Sequence, residues 1–232
     1  MVAIRQALPA PEADDASLRR IDIRHPAYPD TNPALLRLNA VDDGGVDYDI
    51  AFVACCIVTG NTWARAWLAT RDADGRLQRA ARPPDGVLRE ATYYLCLGAD
   101  VAEQYPVLPS FDHWRFPHNG MPAPWSGVTI PPAPPNAFLK HKIAAAARDG
   151  SCRITARVDA CEVGHLVPLV AGHWFASNNM EQYCRLGFDH RAIDDEKNAL
   201  VLCKDVHRLL DTRWLVFAAK QKQTSGAGPP PC

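Results

Sequence analysis

The chain has 232 residues, with 25 Lys and Arg against 26 Asp and Glu for a net charge of −1. That length can bury a core in one or two domains, and near neutrality does not advertise a binder of polyanions. No apolar run approaches the roughly eighteen residues of a membrane-spanning helix; the longest candidate, Ile50 to Val58, is of strand length.

Met1 to Asp15 combines Pro, Ala and acidic residues with one arginine. It lacks the apolar stretch of a signal peptide, so residues 1–17 are expected to be disordered and the protein intracellular, cytoplasmic or nuclear. The eight cysteines include no Cys-x-x-Cys pair, which favours reduced thiols over a disulfide frame or a zinc ribbon.

Order is expected to begin near Leu18. Ile21 to Pro29 reads as a short extended piece broken by prolines, and Leu35 to Ala40 alternates as a strand does. Asp42-Asp43-Gly44-Gly45 is a turn. Tyr48 to Thr59 is continuously apolar and ends early at Gly60-Asn61, which predicts a buried strand rather than a helix. Trp63 to Ala69 and Arg76 to Ala80 flank Asp72-Ala73-Asp74-Gly75 as a hairpin, and Gly86 to Leu97 supplies a further strand. Residues 18–110 are therefore expected to form a mostly antiparallel β domain. His25, Trp63 and Trp67 read as turn and core residues there, not as a ligand or a base-stacking platform.

Residues 111–135 form a proline-rich linker or strap, with seven prolines in the nineteen residues from Pro117 to Pro135. Phe111, Trp114, Phe116 and Trp125 suggest that parts of it lie against a domain. Asn136 then caps a helix over Ala137 to Arg148, closed by Gly150. Cys152 to Thr155 and Cys161 to Val167 are the expected arms of a hairpin. A weakly patterned insertion follows from Pro168 to Asp194, partly helical over Asn178 to Cys184. Asn198 to Thr212 contains the last helix, Trp214 to Phe217 reads as a closing strand, and residues 221–232 as a frayed tail.

The candidate chemistry lies in the last third. His165 sits in a short apolar strand run stopped at once by Pro168, which mounts an imidazole at a strand end. His207 and Asp211 are four apart, so on a helix they share a face and can grip one cation. A nitrogen and a carboxylate form a donor set suited to Mg²⁺ or Mn²⁺ and also compatible with Zn²⁺. The charge is divided accordingly. Phe138 to Cys232 carries 13 Lys and Arg against 10 Asp and Glu, or +3, and the preceding part 12 against 16, or −4.

Arg148 to Thr155, leading into His165-Leu166-Val167-Pro168 and then to Asn198, His207 and Asp211, resembles the HNH endonuclease family, in the branch known mainly from fungal proteins. The resemblance implies a ββα-metal unit over residues 136–220 with a preceding helix, and hence an α+β chain. It implies His165 as general base, Asn198 as the brace of the loop bearing the base, and a divalent ion on His207 and Asp211. The substrate implied is nucleic acid, with DNA ahead of RNA.

Many members place an Asp or His ligand directly before the base. Here that position is Gly164, while a small residue is usual in the fungal branch, so the third ligand is unnamed. Glu162 is a candidate, but strand alternation puts residues 162 and 164 on one face and His165 on the other. Arg153, Arg185, Arg191, Lys204 and Arg208 are available to phosphates. Gly164 and the low basic charge also admit a second reading, a module that keeps the fold to bind nucleic acid or protein without cleaving it.

Overall fold

The computed structural model describes residues 19–99, 103–123, 125–127, 141–184 and 192–218. The protein is mixed α+β and divides into two compact units, Met1–Pro109 and Ser110–Cys232. The expected disorder of the first 17 residues, the tail and the Asn136 cap lie outside the described residues.

In the first unit, β1 (Arg20–Arg24), β2 (Leu36–Asn39), β4 (Ala66–Arg71), β5 (Leu77–Arg79) and β7 (Thr92–Leu97) form one sheet in the order β2-β1-β7-β4-β5. The β1–β7 pair is parallel and the others are antiparallel. Two short strands, β3 (Val46–Asp47) and β6 (Val87–Leu88), pair separately. The expected hairpin closes through Asp72, whose carboxylate accepts from the N–H groups of Asp74 and Arg76. Period-two patterning places Ile21, Ile23, Leu68, Leu95 and Leu97 in the main core. Tyr94, Cys96 and Ala69 pack on the opposite face. Burying each large aliphatic side chain stabilises by about 1.5–3 kcal/mol.

The segment Tyr48–Thr59, expected as a strand, is instead helix α1 (Tyr48–Val58). The Asp47 carboxylate caps it by accepting the Ile50 N–H at 3.0 Å, and Asp49 adds negative charge to the first turn. Gly60, at φ +80°, ends it in the left-handed conformation that glycine adopts without strain. Buried Ala51, Cys55 and Cys56 mark the helical stripe that continuous apolarity concealed. The modest residues hold: His25 is buried and accepts from the Ala27 N–H, and Trp67 donates to the Gly98 carbonyl.

The second unit is organised on β8 (Cys161–His165) and β9 (Ala199–Cys203), an antiparallel pair, with α2 (His141–Asp149) packed on β9 and α4 (Lys204–Asp211) following β9 directly. Two expectations are corrected, the hairpin partner and the closing strand. The partner of the strand bearing His165 is β9, not Cys152–Thr155, which is a turn closed by the Ala156 N–H on the Cys152 carbonyl. The last helix lies within Asn198–Thr212 as expected and begins at Lys204, because the five apolar residues before it are drawn into the sheet. Trp214–Phe217 is not a strand, and Trp214 and Val216 are largely exposed.

Among its described residues the insertion holds one α-helix, α3 (Gly172–Ser177), and short 3₁₀ turns, of which Met180–Tyr183 falls within the segment Asn178–Cys184 expected to be partly helical. Trp174 and Phe175 of α3 are buried with Trp114 and Phe116 of the strap around them. The Trp174 indole N–H donates to the Trp114 carbonyl at 2.8 Å, and buried Asn178 accepts from the Phe116 N–H. These bonds fasten that part of the proline-rich segment to its own unit.

At the end of α2, Arg148 and Asp149 clamp β9. The Arg148 guanidinium pairs with Asp149 and donates to the carbonyls of Glu196 and Ala199 at 2.7 and 2.6 Å. The Asp149 carboxylate accepts from the Val201 N–H at 2.9 Å. Burial opposes ionisation of Asp149, but the Arg148 guanidinium and the Val201 N–H outweigh it and hold the carboxyl below its ordinary range. The clamp flanks Asn198 on both sides.

Candidate active site

Alternation along β8 decides which residues meet. Glu162 and Gly164 point to α4, where the His207 Nδ1 lies 2.8 Å from the Glu162 Oε1. A carboxylate only accepts, so the proton of neutral His207 sits on Nδ1 and its Nε2 carries the lone pair. Asp211, one turn further along α4, places Oδ1 3.6 Å from that Nε2.

Gly164 makes this possible. A Cβ at that position would fall 2.6 Å from the His207 Cδ2 and 2.7 Å from its Nε2, so the imidazole occupies the volume a side chain would need.

His165 points the other way, as alternation requires. Its Nε2 lies 3.2 Å from the Asp194 Oδ1, and by the same reasoning Nε2 carries the proton of the neutral ring and Nδ1 the lone pair.

Asn198 is 6 % exposed and makes a brace. Its Oδ1 accepts from the Val167 N–H at 2.8 Å. Its Nδ2 donates to the Val167 carbonyl at 2.8 Å and to the Ile193 carbonyl at 2.9 Å. The Leu166 N–H reaches the Asn198 carbonyl at 2.8 Å, continuing the ladder one step past His165.

Thus the structure joins His207 with Asp211, and ties Asn198 to the chain just after His165. The side chains of His165 and Glu162 leave β8 on opposite faces, so His165 meets Asp194 while His207 of α4 meets Glu162 and Asp211. Two residues acquire places that the sequence did not assign. Glu162, a candidate ligand, takes the nitrogen of His207 away from Asp211 and orients the ring, a common arrangement for metal-binding histidines. Asp194 lies in an acidic run without periodicity, and nothing in that run marked it as a partner of His165.

The two ligands expected for a divalent ion fit one. Two donors at about 2.1 Å from a common ion stand about 3.0–3.4 Å apart, close to the His207–Asp211 separation. Among the described residues, no group of three or more His, Cys, Asp or Glu gathers to hold an ion.

The nearest cysteines form a separate cluster. Cys152 and Cys203 are buried, Cys161 is half-buried, and the Cys161 and Cys203 sulfurs are 3.8 Å apart as cross-strand partners. Burial opposes ionisation of Cys152, but the Thr155 hydroxyl and the N–H groups of Cys203, Thr155 and Ile154 lower its thiol to about 6. Of the cations considered for phosphate contact, Arg185 and Arg191 lie outside the described residues.

Residues 152–218 match the family model described as HNH endonuclease, which places such a domain in the C-terminal part of the chain. Neither a curated protein nor a solved structure matches the chain.

Proposed function

From the HNH endonuclease domain at residues 152–218 we infer that the protein is a metal-dependent endonuclease that hydrolyses phosphodiester bonds of nucleic acid, with DNA the first candidate. The observation that carries the reading is the oriented His207, whose Nδ1 is committed to Glu162 while Nε2 faces Asp211.

In this reading His207 and Asp211 hold a divalent ion, Mg²⁺ or Mn²⁺ ahead of Zn²⁺. When bound, that ion supplies positive charge to the phosphate and the leaving oxygen. His165 takes the proton of the attacking water. The neutral form of the imidazole carries a lone pair that can accept it. Asn198 keeps the backbone after His165 in place, so that the imidazole does not drift with the exposed loop that follows.

The test is nicking of supercoiled plasmid DNA in Mg²⁺ or Mn²⁺ by wild type, His165→Ala and His207→Ala. Loss of cleavage in both variants, with folding retained, is the expected result. Equal activity in all three proteins removes the assignment. A folded wild type that retards DNA without nicking it favours the non-cleaving module.

A further inference from the structure

We propose that Asp194 is the positioning residue of His165, fixing its ring and its tautomer so that Nδ1 is the atom that accepts a proton. The inference rests on the reading of His165 as the general base and adds a residue to it.

The first observation is the pair itself. The His165 Nε2 is 3.2 Å from the Asp194 Oδ1, and a carboxylate at that distance requires a proton on Nε2. An unrestrained imidazole exchanges its proton between two nitrogens and turns about its side-chain bonds. A carboxylate acceptor removes both freedoms and balances the positive charge that appears when the ring takes a proton.

The second observation is independent and concerns the backbone. The Asn198 Nδ2 donates at once to the carbonyl of Val167, two residues after His165, and to that of Ile193, one residue before Asp194. One carboxamide therefore holds both partners to the same point. Asp194 ends a 3₁₀ turn, Ala192–Asp194, closed by the Asp195 N–H on the Ala192 carbonyl at 3.0 Å. The Asp195 carboxylate then caps the next turn by accepting from the Lys197 N–H. The acid is thus carried on a fastened segment, and the brace that fixes the base fixes its partner too.

Proton bookkeeping is simple. Water gives one proton to the His165 Nδ1 as its oxygen bonds to phosphorus and the bond from phosphorus to the leaving 3′ oxygen breaks; the leaving oxygen takes a proton from solvent, the Nε2 proton stays where it is, and Asp194 remains ionised throughout. The imidazolium then returns the Nδ1 proton to solvent.

The experiment uses the full chain labelled with ¹⁵N-histidine, with the His165 resonances among the eight histidines identified by their loss in His165→Gln. Wild type is expected to show the Nε2–H tautomer. In Asp194→Ala the two tautomers should mix, and kcat for plasmid nicking should fall about 10²-fold, at the lower end of what a general base contributes, with KM little changed. Asp194→Glu should restore part of the tautomer preference and part of the rate.

An unchanged His165 tautomer in Asp194→Ala overturns the proposal. So does a preserved rate in that variant when His165→Ala has lost activity. If wild type shows the fixed tautomer and Asp194→Ala loses it, but no protein nicks DNA, the pairing stands and the nuclease reading fails separately.

Discussion

Asn198→Ala removes three hydrogen bonds at once, those to the Val167 N–H, the Val167 carbonyl and the Ile193 carbonyl at 2.8, 2.8 and 2.9 Å. At about 1 kcal/mol net for each, the second unit should lose about 3 kcal/mol. Two features bound the figure. Asn198 is buried, so orphaned groups beside it meet water poorly and the loss does not vanish. Leu166, Leu169 and Val170 of the adjoining loop are exposed, so the loop can relax toward solvent and the loss should not greatly exceed the sum. Asn198→Asp should be no milder, because a carboxylate oxygen replaces the donor that faced two carbonyls. The assay is denaturant unfolding of the second unit, together with hydrogen exchange at the Val167 amide, whose protection should collapse before global unfolding. A loss under about 0.5 kcal/mol with Val167 still protected would refute the bracing role.

Three other perturbations probe neighbouring features. Glu162→Ala frees the His207 Nδ1 and should weaken binding of Mn²⁺ about 10–100-fold by calorimetric titration; unchanged affinity excludes an orienting role. Asp149→Ala leaves the Val201 N–H without its acceptor at a site where the Asp149 side chain is 3 % exposed, while Arg148 keeps the Glu196 and Ala199 carbonyls, and should cost about 1–3 kcal/mol in thermal or chemical unfolding. His25 is held neutral by burial, which lowers its pKa below the ordinary value, while the Tyr105 backbone opposes the shift. The unfolded chain therefore binds the extra proton first. The first unit should be most stable above about pH 6.5 and lose stability as pH falls further toward the folded pKa, a slope that His25→Gln should flatten. Equal slopes in both proteins would discount His25.

The elements that the sequence revealed are those whose signal is local. Alternation in Leu35–Ala40, the extended piece beginning at Ile21, the run ending at Leu97 and the Asp72–Gly75 turn mark strands seen in register. Helix α1 is concealed because Ile50–Val58 is apolar on all sides, and the decisive features are its ends, the Asp47 cap and Gly60. The pairing of Cys161–His165 with Ala199–Cys203 could not be read, because its two strands are separated by the whole insertion and no local residue names the partner. Cys152–Thr155 is nearer along the chain but forms a turn. At the site, the i,i+4 pair is legible as spacing, and the brace follows from the family resemblance. The carboxylates on the two histidines are not, since one bond joins a strand to a helix and the other a strand to a distant turn, and both depend on how those elements pack.

Gly164 sharpens what a third ligand would require. The position is where many members of the family carry an acidic or histidine ligand, so Gly164→Asp looks like a repair. Space argues against it. The Cβ alone would lie 2.6 Å from the His207 ring, well inside van der Waals contact, and the rest of an aspartate needs more room on the same side. The backbone there is pinned by the β8–β9 ladder, so the ring must yield, breaking its 2.8 Å bond to Glu162 and turning Nε2 away from Asp211. A new carboxylate would be gained only by losing the orientation of the ligand already present. Gly164→Asp should therefore bind Mn²⁺ more weakly than wild type, whereas Gly164→Asp combined with His207→Ala should keep the fold and recover part of the affinity through the new carboxylate. Tighter binding by the single variant would mean that the imidazole can move aside without cost, and that the close fit between strand and helix is not what sets the site.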